Sequence, residues 1–171
     1  MRLRRKVCLL GVPGVGKTSL ARRLVEGAFD VGYESKLSMA ISSSSLQLDD
    51  VSLEMMLWDP GGIDAWGQYN RSFISGASGL AFIVDATNPR TLDHLLEAQL
   101  KGRGFIGSRP SVLIVNKIDL TRDFALTKQQ LDAAGKINWY IAQTSAKSGY
   151  NVNEAFERLA KMMLEARKVS A

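Results

Sequence analysis

Gly11, Val12, Pro13, Gly14, Val15, Gly16, Lys17 and Thr18 follow one another in a spacing that suits phosphate chemistry. Glycines let a backbone curl until successive N–H groups point inward at anionic oxygens. A helix starting at Gly16 adds unpaired donors and the positive end of its dipole. Lys17 supplies a cation for the β- and γ-phosphates of a nucleotide, and the Thr18 hydroxyl is a ligand for Mg²⁺. Pro13, Gly14, Val15, Gly16, Lys17, Thr18 and Ser19 are therefore candidate phosphate contacts. The plain alternative is a glycine-rich turn that does no more than end a strand. The complete Gly-Lys-Thr ending, with an apolar run before it and a helical pattern after it, argues against that.

A phosphate loop does not choose between adenine and guanine. Asn116, Lys117, Ile118 and Asp119 do, directly after the apolar run Val112–Val115. A carboxylate at Asp119 accepts from both the N1–H and the exocyclic amine of guanine. Adenine offers no such donor pair and would leave the carboxylate unpaired. Asn116 can brace the loop, and the Lys117 stem can lie along the ring. Thr144, Ser145, Ala146 and Lys147 follow a second apolar stretch; the Ala146 amide can meet guanine O6 and Lys147 can cover the other ring face. Either tetrapeptide alone is a weak signal. Both, in order and downstream of a phosphate loop, are a strong one. Between the phosphate loop and these two motifs lie Trp58, Asp59, Pro60, Gly61 and Gly62. Asp59 can hold Mg²⁺ through water, and the Gly62 amide can approach a γ-phosphate because no Cβ intervenes.

The elements that must hold these residues are legible from the pattern. Val7–Leu10 is an apolar strand, and Leu20, Ala21, Leu24 and Val25 repeat at helical spacing. Ser42–Ser45 runs into the alternating Leu46-Gln47-Leu48 and reads as a strand edge. Asp49-Asp50 is a turn, and Val51–Trp58 pairs back as a hairpin. A polar stretch, Asp59–Gly79, holds one short helix. Leu80–Val84 and Val112–Val115 are continuous apolar strands, the mark of burial on both faces. Asn88 and Pro89 open a helix whose apolar face is Leu92, Leu95, Leu96 and Leu100. A basic loop, Lys101–Arg109, follows it. Thr127 with Gln130 reads as a capping box for a helix ending at Gly135. Trp139–Thr144 is the last strand, and Val152, Ala155, Phe156, Leu159, Met162 and Met163 face a core from a terminal helix. Strands alternating with helices, apart from one hairpin, predict an α/β fold: a mostly parallel sheet with one antiparallel edge strand and helices on both faces. Ligands then bind at the carboxyl ends of the strands, where every motif above falls.

Length and composition agree. The chain has 171 residues, which suits a single domain spanning 1–171, and 46% apolar residues, which excludes a disordered chain. Its one cysteine, Cys8, excludes an internal disulfide and suits a reducing, cytoplasmic setting; it reads as a small buried apolar residue. No apolar run is long enough to span a membrane. Residue 2 is Arg, and the last four residues hold no prenylation cysteine, so no intrinsic membrane anchor is expected. The net charge of +5 is scattered, which argues against nucleic-acid binding. The exception is the cluster Arg2, Arg4, Arg5 and Lys6, a candidate contact for an acidic partner.

The order and spacing of these motifs resemble the Ras-like small GTPases over essentially the whole chain. The resemblance implies a three-layer P-loop NTPase fold with a six-stranded sheet and about five helices. It implies a molecular switch that binds GTP or GDP with Mg²⁺ and hydrolyses GTP. Phe29 matches the family's aromatic edge against guanine, and Tyr33 the aromatic that closes over the phosphates. Two mobile segments, around residues 30–40 and 59–75, would meet a protein effector or regulator.

Three departures stand out. The family's Mg²⁺-binding Thr falls on Lys36, and an ammonium cannot ligate a cation. Ser35 or Ser38 substitutes after a register shift, Lys36 meets phosphate itself, or the loop orders differently; these readings stay open. Ile63 replaces the Gln that orients the attacking water, with Gln68 the nearest glutamine. Pro13 removes one N–H from the cradle and sets a ring beside the γ-phosphate, where it could crowd an activator's arginine. The expectation is tight binding with slow intrinsic hydrolysis. The alternative is a non-catalytic module that keeps its guanine nucleotide as a structural ligand.

Overall fold

A computed structural model of the chain describes residues 1–27, 39–61, 71–101, 107–121, 127, 129, 130, 132 and 139–169. In chain order these form β1 (Arg2–Leu10), α1 (Lys17–Glu26), β2 (Ala40–Leu48), β3 (Val51–Asp59) and α2 (Arg71–Ile74). β4 (Gly79–Asp85), α3 (Arg90–Lys101), β5 (Ser111–Asn116), a 3₁₀ turn (Ile118–Leu120), β6 (Tyr140–Gln143) and α4 (Val152–Val169) follow. The six strands make one sheet in the order β2-β3-β1-β4-β5-β6. Only the β2–β3 pairing is antiparallel.

The expected edge strand is therefore β2, and its serines pair with Leu57, Met56, Met55 and Glu54 of β3. A short helix does lie in the stretch after Asp59, and the described residues add three long helices. Thr127 and Gln130 exchange the two hydrogen bonds of a capping box, at 3.0 and 3.2 Å. The expected end of that helix, Gly135, and the side chain of Leu100 lie outside the described residues.

Period-two alternation sends successive side chains of each strand to opposite faces. Val7, Leu9, Ala81, Ile83, Val112 and Ile114 join Leu20 of α1 and Phe156 and Leu159 of α4 in one core. Cys8, Leu10, Leu80, Phe82, Leu113 and Val115 join Ile74 of α2 and Leu92 and Leu95 of α3 in the other. This double burial is why the central strands read as unbroken apolar runs. β3 shows the contrast: Leu53, Met55 and Leu57 are buried while Ser52, Glu54, Met56 and Trp58 are only half-buried.

β1 begins at Arg2, five residues before the apolar run, so the basic cluster lies within a strand. Glu54 on β3 meets Arg4 at 3.1 Å and Arg2 at 3.5 Å. Lys6 lies 3.9 Å over the Trp58 ring and donates to the Ser75 carbonyl at 2.9 Å. Part of the charge of this cluster is thus met within the chain by Glu54. Such exposed pairs contribute little, about 0–1 kcal/mol each.

The chain leaves β1 towards β2 on one side and leaves β3 towards β4 on the other, so the connections diverge beside β1. That is the topological switch point, where open α/β sheets leave a crevice beyond the carboxyl ends. The loop at residues 11–16 fills it.

Candidate functional site

The loop after β1 is shaped by close approach. A Cβ on Gly11 would lie 2.4 Å from the Ile83 carbonyl oxygen, so only glycine lets the chain turn this tightly over β4. Gly16 caps α1 with φ near +97°, a backbone state that L side chains rarely adopt. Its own Cβ would lie 2.4 Å from Asn116 Nδ2. Pro13 and Gly14 are exposed at the apex, Ser19 is half-buried on the first turn of α1, and Val15 is buried. Lys17 reaches back along the loop and donates to the carbonyls of Gly11 at 2.9 Å and Val12 at 3.2 Å. The ammonium is thus clipped to the loop it serves, and the residue is only 4% exposed.

Asp59, at the end of β3, is brought against this loop. Thr18 Oγ1 donates to Asp59 Oδ2 at 2.5 Å, and the Gly61 N–H donates to Oδ1 at 2.9 Å. Asp59 is 3% exposed. The two expected metal residues therefore meet as a hydroxyl and a buried carboxylate, the hard oxygen donors that Mg²⁺ requires. The pair fits that ion: Thr18 would ligate it and Asp59 would hold it through water.

The base-side motifs converge on one residue. Asn116 is 1% exposed at the end of β5. Its Nδ2 donates to the Val15 carbonyl at 3.1 Å, reaching into the phosphate loop. Its Oδ1 accepts from Thr144 Oγ1 at 3.2 Å and from the Ala146 N–H at 3.1 Å. The bracing role read from the sequence is thus extended to three separate segments. Asp119 stands on the 3₁₀ turn, exposed, with Ser145 Oγ donating to its Oδ1 at 2.6 Å. Ser145 in turn accepts from the Ser148 N–H at 3.1 Å. Ala146 is buried beside them and Lys147 is exposed.

Lys117 has a partner that its motif did not indicate. Its backbone is left-handed, with φ near +67°, and its ammonium meets Asp85 Oδ2 at 2.6 Å. Burial works against ionisation of Asp85, but the Lys117 ammonium and the Thr87 hydroxyl and amide outweigh it and hold the carboxyl below its ordinary range. Asp85 was missed from the sequence, although a lone acid closing an apolar strand was a usable signal. Arg23 of α1 was missed too, with no local signal to find it. It donates to the carbonyls of Ala146, Lys147 and Gly27. Phe29, Tyr33, Ser35, Lys36, Ser38, Gly62, Ile63 and Gln68 lie outside the described residues.

The geometry thus joins a phosphate-type loop, an acid–hydroxyl pair and an exposed carboxylate held by a serine hydroxyl, all at the carboxyl ends of parallel strands. A family model described as the Ras family matches residues 6–165. The chain belongs to the Ras family. Among Ras-family relatives, it is similar to Ras-related protein Rab-1 of Theileria annulata, at 27% identity over 92% of this chain and 73% of that one. Rab-1 of Theileria parva stands at 26% over the same shares. The Ypt/Rab-type GTPase ypt7 of Schizosaccharomyces pombe is 28% identical over 94% of this chain and 82% of its own length. The six-stranded sheet with its antiparallel edge is the Ras-like P-loop fold. No helix among the described residues is long and apolar enough to cross a membrane.

Proposed function

We propose that the protein is a guanine-nucleotide switch that binds GTP and GDP with Mg²⁺ and hydrolyses GTP slowly to GDP and phosphate. The observation that carries this reading is Asn116, one buried amide that ties the phosphate loop to the loop bearing Ser145 and so to Asp119. On this reading the cradle amides and Lys17 take the phosphates, and Thr18 with Asp59 holds the metal. When bound, Mg²⁺ neutralises charge on the β- and γ-oxygens. Asp119 reads the N1–H and amine edge of guanine, the Ala146 amide exchanges its Asn116 partner for O6, and Lys117 and Lys147 flank the ring. Phe29 and Tyr33 complete the pocket, and Gly62 meets the γ-phosphate.

Ile63 carries no donor or acceptor for an attacking water. Intrinsic turnover is then at or below the order of 10⁻⁴ per second. Segments 30–40 and 59–75 report the γ-phosphate to a protein effector or regulator in the cytoplasm. Lys36 and Ile63 together favour one second reading, a non-catalytic module that keeps its nucleotide.

Denaturing the purified protein and identifying the released nucleotide by chromatography tests the assignment. GDP or GTP is expected, and an adenine nucleotide overturns it. Limited proteolysis with GDP and with a non-hydrolysable GTP analogue separates switch from static module. A cleavage pattern within 30–75 that ignores the γ-phosphate favours the module.

A further inference from the structure

Arg23 lies on α1, six residues beyond Lys17, and its guanidinium donates to three backbone carbonyls. Nε meets the Ala146 oxygen at 2.8 Å. One terminal nitrogen meets the Lys147 oxygen and the other the Gly27 oxygen. Capping α1 explains only the last of these. Gly27 already closes that helix in a left-handed turn, with its N–H on the Arg23 carbonyl at 3.0 Å. The other two bonds cross 123 and 124 positions of chain to reach the loop that follows β6.

That loop is gripped from two sides. Asn116 accepts the Ala146 N–H, and Arg23 holds the Ala146 carbonyl. A planar trans peptide fixes the next N–H opposite its carbonyl, so Arg23 also sets the direction of the Lys147 amide, away from α1. A rigid fork with parallel donors suits neighbouring carbonyls in a way that an ammonium cannot. We propose that Arg23 is a positioning residue for the purine: it holds the Ala146–Lys147 peptide so that its N–H presents to the O6 edge of guanine, coupling the helix behind the phosphates to the base. The proposal rests on the guanine reading above.

The test measures dissociation and affinity of GDP, 6-thio-GDP and IDP for wild type, Arg23→Ala and Arg23→Lys. Sulfur at position 6 chiefly weakens the O6 acceptor, its effect on N1–H being common to all three proteins, whereas IDP lacks only the amine that faces Asp119. Arg23→Ala is expected to release GDP roughly tenfold faster or more, the equivalent of one charge-assisted hydrogen bond. Its preference for GDP over 6-thio-GDP should shrink towards one, while its preference for GDP over IDP stays near wild type. Arg23→Lys, which keeps charge and stem, should fall between. If both variants weaken all three nucleotides by one common factor, Arg23 is scaffold alone and the proposal fails. It fails equally if GDP release is unchanged. A wild type that binds ADP as well as GDP removes the guanine reading itself, a separate result visible before any variant is made.

Discussion

Replacing Asn116 with alanine should cost far more than an ordinary polar-to-alanine change. The side chain makes three hydrogen bonds, to the Val15 carbonyl, the Thr144 hydroxyl and the Ala146 amide, at 3.1, 3.2 and 3.1 Å. At about 1 kcal/mol net for each, the loss is roughly 3 kcal/mol, or on the order of a hundredfold in the folding equilibrium. Thr144→Val removes one of the three and should cost about 1 kcal/mol alone. In the Asn116→Ala background its partner is already gone, so the second change should cost close to nothing; the cycle isolates that coupling. Denaturant unfolding of the four proteins measures this, at one fixed GDP concentration because a ligand of the folded state adds its own stabilisation. A loss under about 1 kcal/mol for Asn116→Ala, or strict additivity in the cycle, would refute the view that one amide ties the three segments.

Asp119→Asn swaps an acceptor for a donor at the base edge and should shift preference from GTP to xanthosine triphosphate; competition calorimetry with unchanged GTP affinity would count against the assignment. Gly16→Ala puts a Cβ 2.4 Å from Asn116 Nδ2 at φ near +97°, so nucleotide binding should drop at least tenfold, read by equilibrium dialysis. Asp85 has its carboxyl held below the ordinary 3.8, so its bonds to Lys117 and Thr87 contribute fully above that value and are lost as pH falls through the lower folded one. Stability should be flat in this respect from pH 7 to about 5 and decline below about 4, and Asp85→Asn should lack that part of the acid decline. Burial pushes the Cys8 thiol up to about 11, so it should resist alkylation in the folded protein and react at once in denaturant.

The sheet was legible because its strands are buried on two faces, and unbroken runs such as Leu80–Val84 have few other uses. The hairpin was legible because Asp49-Asp50 punctuates two alternating stretches, and Asp49 does take a left-handed turn, with φ near +49°. The start of β1 was not legible. Arg2–Lys6 hold a single apolar residue, Leu3, too little to mark a strand; they extend it by pairing with Ser52–Met56 of β3, with Glu54 and Trp58 alongside. In the site, the residues that touch one another through a motif were visible, since the spacing of a loop is local. Arg23 and Asp85 were not, because each acts on a segment far away in sequence, through a contact that exists only once the sheet has formed.

Asn116 also bears on how a bound molecule gets out. Its two side-chain atoms pin the phosphate loop to the loop that follows β6, so displacing either one strains the other. On the switch reading, escape of the nucleotide is expected to loosen both loops together rather than peel them in turn. A factor that hastens it needs leverage at one end only, and the pin transmits the strain to the rest.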